Sequence, residues 1–146
     1  MTWLEDAAAR ARVLEAQPQA ALVSAELPLR ANLSVLENIA IVPQFRLNLS
    51  YDQAADAAWA LLARLGLTDC AFKRDPSLDC VERFGAKLLR AVIGRPPIIL
   101  IDRPALLLPD IHYPPHLESV LQRLADLIEQ CRILDYVWNA PLYAPR

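Results

Sequence analysis

The residues best placed for chemistry lie between Leu78 and Pro104, in the run LDCVERFGAKLLRAVIGRPPIILIDRP. Asp79 and Glu82 read as the capping start of a helix that ends at Gly94. Pro96-Pro97 then forces an extended entry into a buried strand, Ile98 to Asp102, which ends in a carboxylate. The next residue is Arg103, which carries donors only and cannot accept a proton. It is placed instead to pair with Asp102, which would make that carboxylate structural.

Other reactive side chains form no constellation. His112 and His116 are four apart, but Pro114-Pro115 interrupts the regular helix that a metal pair needs, so they read as surface histidines at a helix start. Cys70, Cys80 and Cys131 are odd in number and lack a C-x-x-C pair, which implies reduced thiols and no metal site. Trp3, Trp59 and Trp138 are expected in the core or an interface, because no basic groove makes them a base-stacking platform. Arg83, Lys87 and Arg90 share a helix face. The spacing predicts a solvated face, with contact to anionic lipid or phosphate as the alternative. Leu27-Pro28-Leu29, with Arg30, and Phe45 look exposed. Either they pack onto the chain's own helices or they receive a partner.

These residues must be positioned by alternating strands and helices. Trp3 to Ala16 has apolar residues at helical spacing, closed by Pro18. Ala20 to Ser24 is a short strand. Ser34 with Glu37 and Ser50 with Gln53 are capping boxes, and Gly66 stops the second of those helices. Pro114-Pro115 opens a last long helix whose stripe runs Leu117, Val120, Leu121, Leu124, Leu127, Ile128 and Cys131, and Arg132 to Trp138 is a final strand. This is the order of an α/β protein with a small parallel sheet. One domain is expected over 1–146, with 33–95 as a helical subdomain inserted in the α/β core.

Composition narrows the function classes. The formal net charge of -2 gives no electrostatic case for nucleic acid. Apolar runs such as Ile98 to Ile101 are too short for a membrane span, and MTWLEDAAARARVLEA lacks the apolar core of a secretion signal. Hydrophobic content of 55% and mean hydropathy of +0.21 suggest apolar surface buried against a partner.

Five pieces in order resemble the nucleotide-binding domain of ABC-transporter ATPases, over nearly everything from Ala20 to Pro145. LSVLENIA, from Leu33 to Ala40, is similar to the stretch after the Q-loop, and AADAAWALLARLGL to a helix of the helical subdomain. Arg90-Ala91 with Gly94-Arg95-Pro96, the strand Ile98 to Pro104, and YVWNAP from Tyr136 to Pro141 look like the segment after the signature, the Walker B strand and the switch-histidine region. The resemblance implies a P-loop NTPase type of sheet, N-terminally truncated and lacking the Walker A half.

The departures fall on the family's chemistry. No G-x-x-x-x-G-K-[ST] is present to cradle phosphates. The Q-loop glutamine falls near Ala25, and the signature falls on Leu78-Asp79-Cys80-Val81-Glu82, whose carboxylates repel a phosphate. Asp102 matches the Walker B aspartate, but Arg103 replaces the catalytic glutamate and Asn139 the switch histidine. The D-loop becomes Leu108-Pro109-Asp110. No catalytic residue, metal or cofactor is therefore expected, and Asp102 stands as a Walker B remnant.

The resemblance then implies a non-catalytic binding or regulatory subunit of an ABC-type transport system. Its partner would be a second copy, a permease or a complete ATPase. Its place would be the cytoplasm, or the inner face of the membrane through a permease, with Leu27, Pro28, Leu29, Arg30 and Phe45 as partner-binding residues. The alternatives are an ATP-binding subunit completed in trans by a chain supplying the P-loop, and a relic without selected activity. On this reading the central sheet has a gap. Either Ile98 to Asp102 pairs directly with Arg132 to Trp138, or a strand from another chain fills it.

Overall fold

A computed structural model describes residues 1–145. Four strands form one parallel sheet: β1 (Thr2–Leu4), β2 (Ala21–Val23), β3 (Ile99–Asp102) and β4 (Cys131–Tyr136), in the spatial order β1-β4-β3-β2. The helices are α1 (Ala7–Ala16), α2 (Val35–Arg46), α3 (Tyr51–Arg64), α4 (Cys80–Ile93), the single turn α5 (Pro104–Leu107) and α6 (Tyr113–Arg123). The expected gap closes within the chain. β3 pairs directly with β4, Ile99 opposite Cys131 through Asp102 opposite Leu134.

The sequence places a helix from Trp3, but Thr2–Leu4 is a strand beside β4. Tertiary pairing overrides the spacing here. Leu4 is buried against Ile98, Leu100 and Leu134, and the helix starts only after Asp6, whose carboxylate caps it by accepting from the Ala9 N–H at 2.8 Å. α6 also departs from expectation. It ends at Arg123, the stripe continues through a 3-10 turn at Ala125–Leu127, and Cys131 already belongs to β4.

The three capping boxes form as the sequence predicts. Ser34, Ser50 and Asp79 each accept from the N–H three residues on, and Glu37, Gln53 and Glu82 reach back to the cap. Gly66 takes φ +68° where α3 stops, a left-handed conformation that glycine adopts without a Cβ penalty.

Strand alternation assigns each face of the sheet its cover. Leu4, Ile98, Leu100 and Leu134 face α1, where Ala9, Val13 and Leu14 pack on them. Val23, Ile99 and Ile101 face the larger core, which runs continuously through α2, α3 and α4 to Leu117, Val120 and Leu124. α4 is buried around most of its circumference and packs on both the other helices and β2. The same alternation sends Asp102 to the α1 side of the sheet, as its bond to Arg10 records, at the C-terminal end of β3.

Candidate functional site

Asp102 is fully buried, and its two oxygens accept five donors. Oδ1 accepts from Nε of Arg10 at 2.9 Å and of Arg103 at 3.1 Å. Oδ2 accepts from Nη2 of Arg10 at 2.7 Å, from Nη2 of Arg103 at 3.1 Å and from Ser24 Oγ at 2.7 Å. A carboxylate offers about four lone-pair positions, so this one is saturated. Both arginines approach as forks, the geometry in which guanidinium and carboxylate pair most strongly.

Each partner is delivered by a separate local feature. Ser24 follows β2. Arg10 lies one turn into α1, and the short Glu5–Asp6 turn from β1 brings that turn over the end of β3. Arg103 has φ +51°, a left-handed value costly for a residue with a Cβ. Its side chain folds back on Asp102, while its N–H donates to the Leu134 carbonyl at 2.8 Å. Glu26 closes the cluster from outside, Oε2 on Arg10 Nη2 at 3.0 Å and Oε1 on Arg103 Nη2 at 2.9 Å. Burial would raise the Asp102 carboxyl, but the bonds from Arg10, Arg103 and Ser24 outweigh it and hold the group below the ordinary aspartate range.

The Asp102–Arg103 pair is the one the sequence predicts. Arg10 is the functional neighbour the sequence does not reveal. β1, a turn and α1 make the strand–turn–helix arrangement that can present a helix N-terminus to a phosphate. Here the turn is two residues, and the Asp6 carboxylate occupies the helix N-terminus itself.

At the start of α4, Asp79 Oδ1 accepts from the Glu82 N–H at 2.8 Å and Glu82 Oε1 from the Asp79 N–H at 3.1 Å, so the helix start is satisfied internally. Asn139 donates to Asp135 Oδ1 at 2.8 Å, and Tyr143 donates to Oδ2 at 2.7 Å. Asp135 is thus a second buried carboxylate at the end of the sheet, held by neutral donors rather than by arginine.

The basic face of α4 is not solvated. Lys87 is 5% exposed and donates to the Ser24 carbonyl at 3.2 Å. Arg90 holds the Leu27 and Pro28 carbonyls, and Arg83 holds Asp75 and the Leu78 carbonyl. These cations fix the loop after β2 by pairing with its orphan carbonyls, a role that residue type and helical spacing alone do not disclose. In that loop Leu27, Pro28 and Arg30 are exposed, whereas Leu29 is buried in the core, contrary to the expectation that it is exposed. Phe45, on α2, is 82% exposed.

The tryptophans also differ from expectation. None is in the core: Trp3 packs edge-on against Tyr143, Trp59 lies near Phe72, and Trp138 stacks on Tyr136, all at the surface. The three cysteines are unpaired, and burial pushes the Cys70 and Cys131 thiols up to about 11. His112 precedes α6 without a side-chain cap, and His116 meets the Phe84 ring edge. Among the described residues, no cluster of three or more His, Cys, Asp or Glu side chains is arranged to hold a metal ion.

No family model matches the sequence. The lipoprotein-releasing system ATP-binding protein LolD of Bacteroides thetaiotaomicron is 32% identical over 101 residues, which is 69% of this chain and 45% of that protein. A dimeric post-hydrolysis state of the ATP-binding cassette MJ0796 bound to ADP and Pi superposes with a TM-score of 0.65 at 21% identity, covering 93% of this chain and 59% of that one. The dimeric structure of MJ0796, a bacterial ABC transporter cassette, gives 0.64 at 22% identity, over 90% and 59%. The chain therefore shares the α/β fold of these cassettes, and it spans less than half the length of the curated relative it matches.

Proposed function

Because this chain is a partial homologue of the ABC-transporter ATPases, we propose that it acts as a non-catalytic binding or regulatory subunit of an ABC-type transport system. The observation that carries this reading is the saturation of Asp102. A divalent ion or its water would need a free lone pair on this carboxylate, and two guanidinium forks with the Ser24 hydroxyl use them all. Arg103 offers no lone pair to polarise a water, and the acidic start of α4 repels phosphate. Completion in trans by a chain supplying a P-loop would have to expel Arg10 from Asp102, so this alternative receives less support.

Two surfaces remain for partners. The exposed residues Leu27, Pro28, Arg30 and Phe45 suit a permease or a complete ATPase, and the dimeric state of the MJ0796 structures motivates a second copy. No helix of the described residues is long and apolar enough to cross a membrane, so membrane association would be peripheral, through a permease. Isothermal titration with Mg-ATP, together with a phosphate-release assay, tests the reading. The expected result is no turnover and no saturable binding in the micromolar range. A micromolar dissociation constant, about -8 kcal/mol, would overturn it.

A further inference from the structure

The hydrogens of Arg10 and Arg103 are divided unevenly. Each guanidinium gives its Nε–H and one Nη2–H to buried Asp102 and the other Nη2–H to Glu26. Nη1 of each has no partner among the described residues. Both Nη1 groups reach solvent, since Tyr113 Oη is the sole buried side-chain nitrogen or oxygen there without a hydrogen bond. The arginine side chains are themselves 13% and 18% exposed and cannot swing away without abandoning Asp102. The Glu26 side chain is 59% exposed and tied only by its two ion pairs. Two rigid, inward-anchored forks therefore share one loosely held oxyanion.

We propose that Arg10 and Arg103 form a clamp for a phosphoryl anion, in which the Glu26 carboxylate is an internal and displaceable occupant. The cluster is neutral with Glu26 in place and gains one positive charge when that side chain turns out to solvent. A tetrahedral phosphoryl group can take both Nη2 hydrogens that Glu26 uses and also the free Nη1 hydrogens. A carboxylate has too few oxygens to do the same. Guanidinium forks are suited to this recognition, which needs no metal and leaves Asp102 bound as it is. The clamp is independent of ATP hydrolysis, so its failure and that of the function proposed above are read separately.

The test titrates inorganic phosphate, and in a second arm metal-free ATP, into the full chain at fixed ionic strength, with chloride as control. Glu26→Gln removes the competitor at a surface position. Its affinity for inorganic phosphate should rise about tenfold over wild type, the order expected when a carboxylate making two exposed ion pairs no longer competes. Adding Arg103→Gln, or Arg103→Lys should that double variant not fold, must abolish the gain, because lysine keeps the charge and loses the fork. Binding of phosphate alone assigns the site to a free ion, and tighter binding of metal-free ATP assigns it to a phosphoryl group on a nucleotide. Equal phosphate affinity in wild type and Glu26→Gln overturns the proposal, as does a gain that survives loss of the Arg103 fork.

Discussion

Arg10 and Asp102 lie 92 positions apart and meet through two bonds, 2.9 and 2.7 Å long. The contact joins α1, which has no fully buried residue of its own, to the end of a completely buried strand. It anchors the helix and consumes the carboxylate at once. One guanidinium thus links the stability of the sheet's α1 face to the chemistry its edge can perform.

Arg10→Gln should destabilise the fold by about 3 kcal/mol, because breaking a buried pair strands a charge that the remaining arginine only half compensates. Urea denaturation at neutral pH measures it. The folded-state Asp102 carboxyl is held below its ordinary 3.8, so its contribution is present above that value and is lost as pH falls through the lower folded value. The gap between wild type and Arg10→Gln should accordingly narrow below about pH 4. A gap that is small at pH 7, or unchanged on acidification, would contradict the pairing.

Arg103→Glu restores an acceptor beside Asp102 but should yield no ATP turnover, since a water-polarising group contributes only where the phosphates are already positioned. The substitution also leaves Arg10 alone among Asp102, Glu26 and the new carboxylate. A stability loss of about 3 kcal/mol is expected on the same grounds as for any buried pair that loses a partner. Phosphate release above background by the purified variant would show that the site needs only its glutamate.

What the sequence disclosed, and what it hid, follows the range of the interactions. Capping at Ser34, Ser50 and Asp79 is local, so residue spacing carries it. The adjacent Asp102–Arg103 pair was legible for the same reason. β1 was not, because Trp3 and Leu4 fit a helical stripe equally well until β4 pairs with them. Lys87 looked solvated because its helical neighbours are charged, and only the loop after β2 covers it. Arg10 was invisible as a ligand because nothing in DAAARAR says which strand lies beneath it.

Arg95 adopts φ +50° just after α4 and makes no side-chain hydrogen bond or ion pair among the described residues. The left-handed region costs a residue with a Cβ roughly 1–2 kcal/mol, part of which glycine returns through its freer unfolded chain. Arg95→Gly should therefore stabilise the protein by about 0.5–1 kcal/mol. A lowered thermal midpoint would show that the side chain contributes more than its backbone conformation costs.

Lys87→Met should raise stability at neutral pH by about 1 kcal/mol. Burial lowers the Lys87 ammonium below the ordinary lysine value of 10.5, and Arg90 and Arg83 add to that effect against Asp75. The charged head makes one bond, to a Ser24 carbonyl that also accepts from the Leu27 N–H at 3.1 Å, so methionine strands no buried acceptor. A lysine with a depressed folded-state pKa binds fewer protons folded than unfolded between that pKa and 10.5, so wild-type stability rises with pH across this window. Titrating both proteins with urea from pH 7 to pH 10 should show the variant's advantage shrinking as the native lysine loses its proton. A variant that is less stable than wild type at pH 7, with a deficit that does not change toward pH 10, would mean that the ammonium holds the loop after β2 more strongly than its burial opposes it.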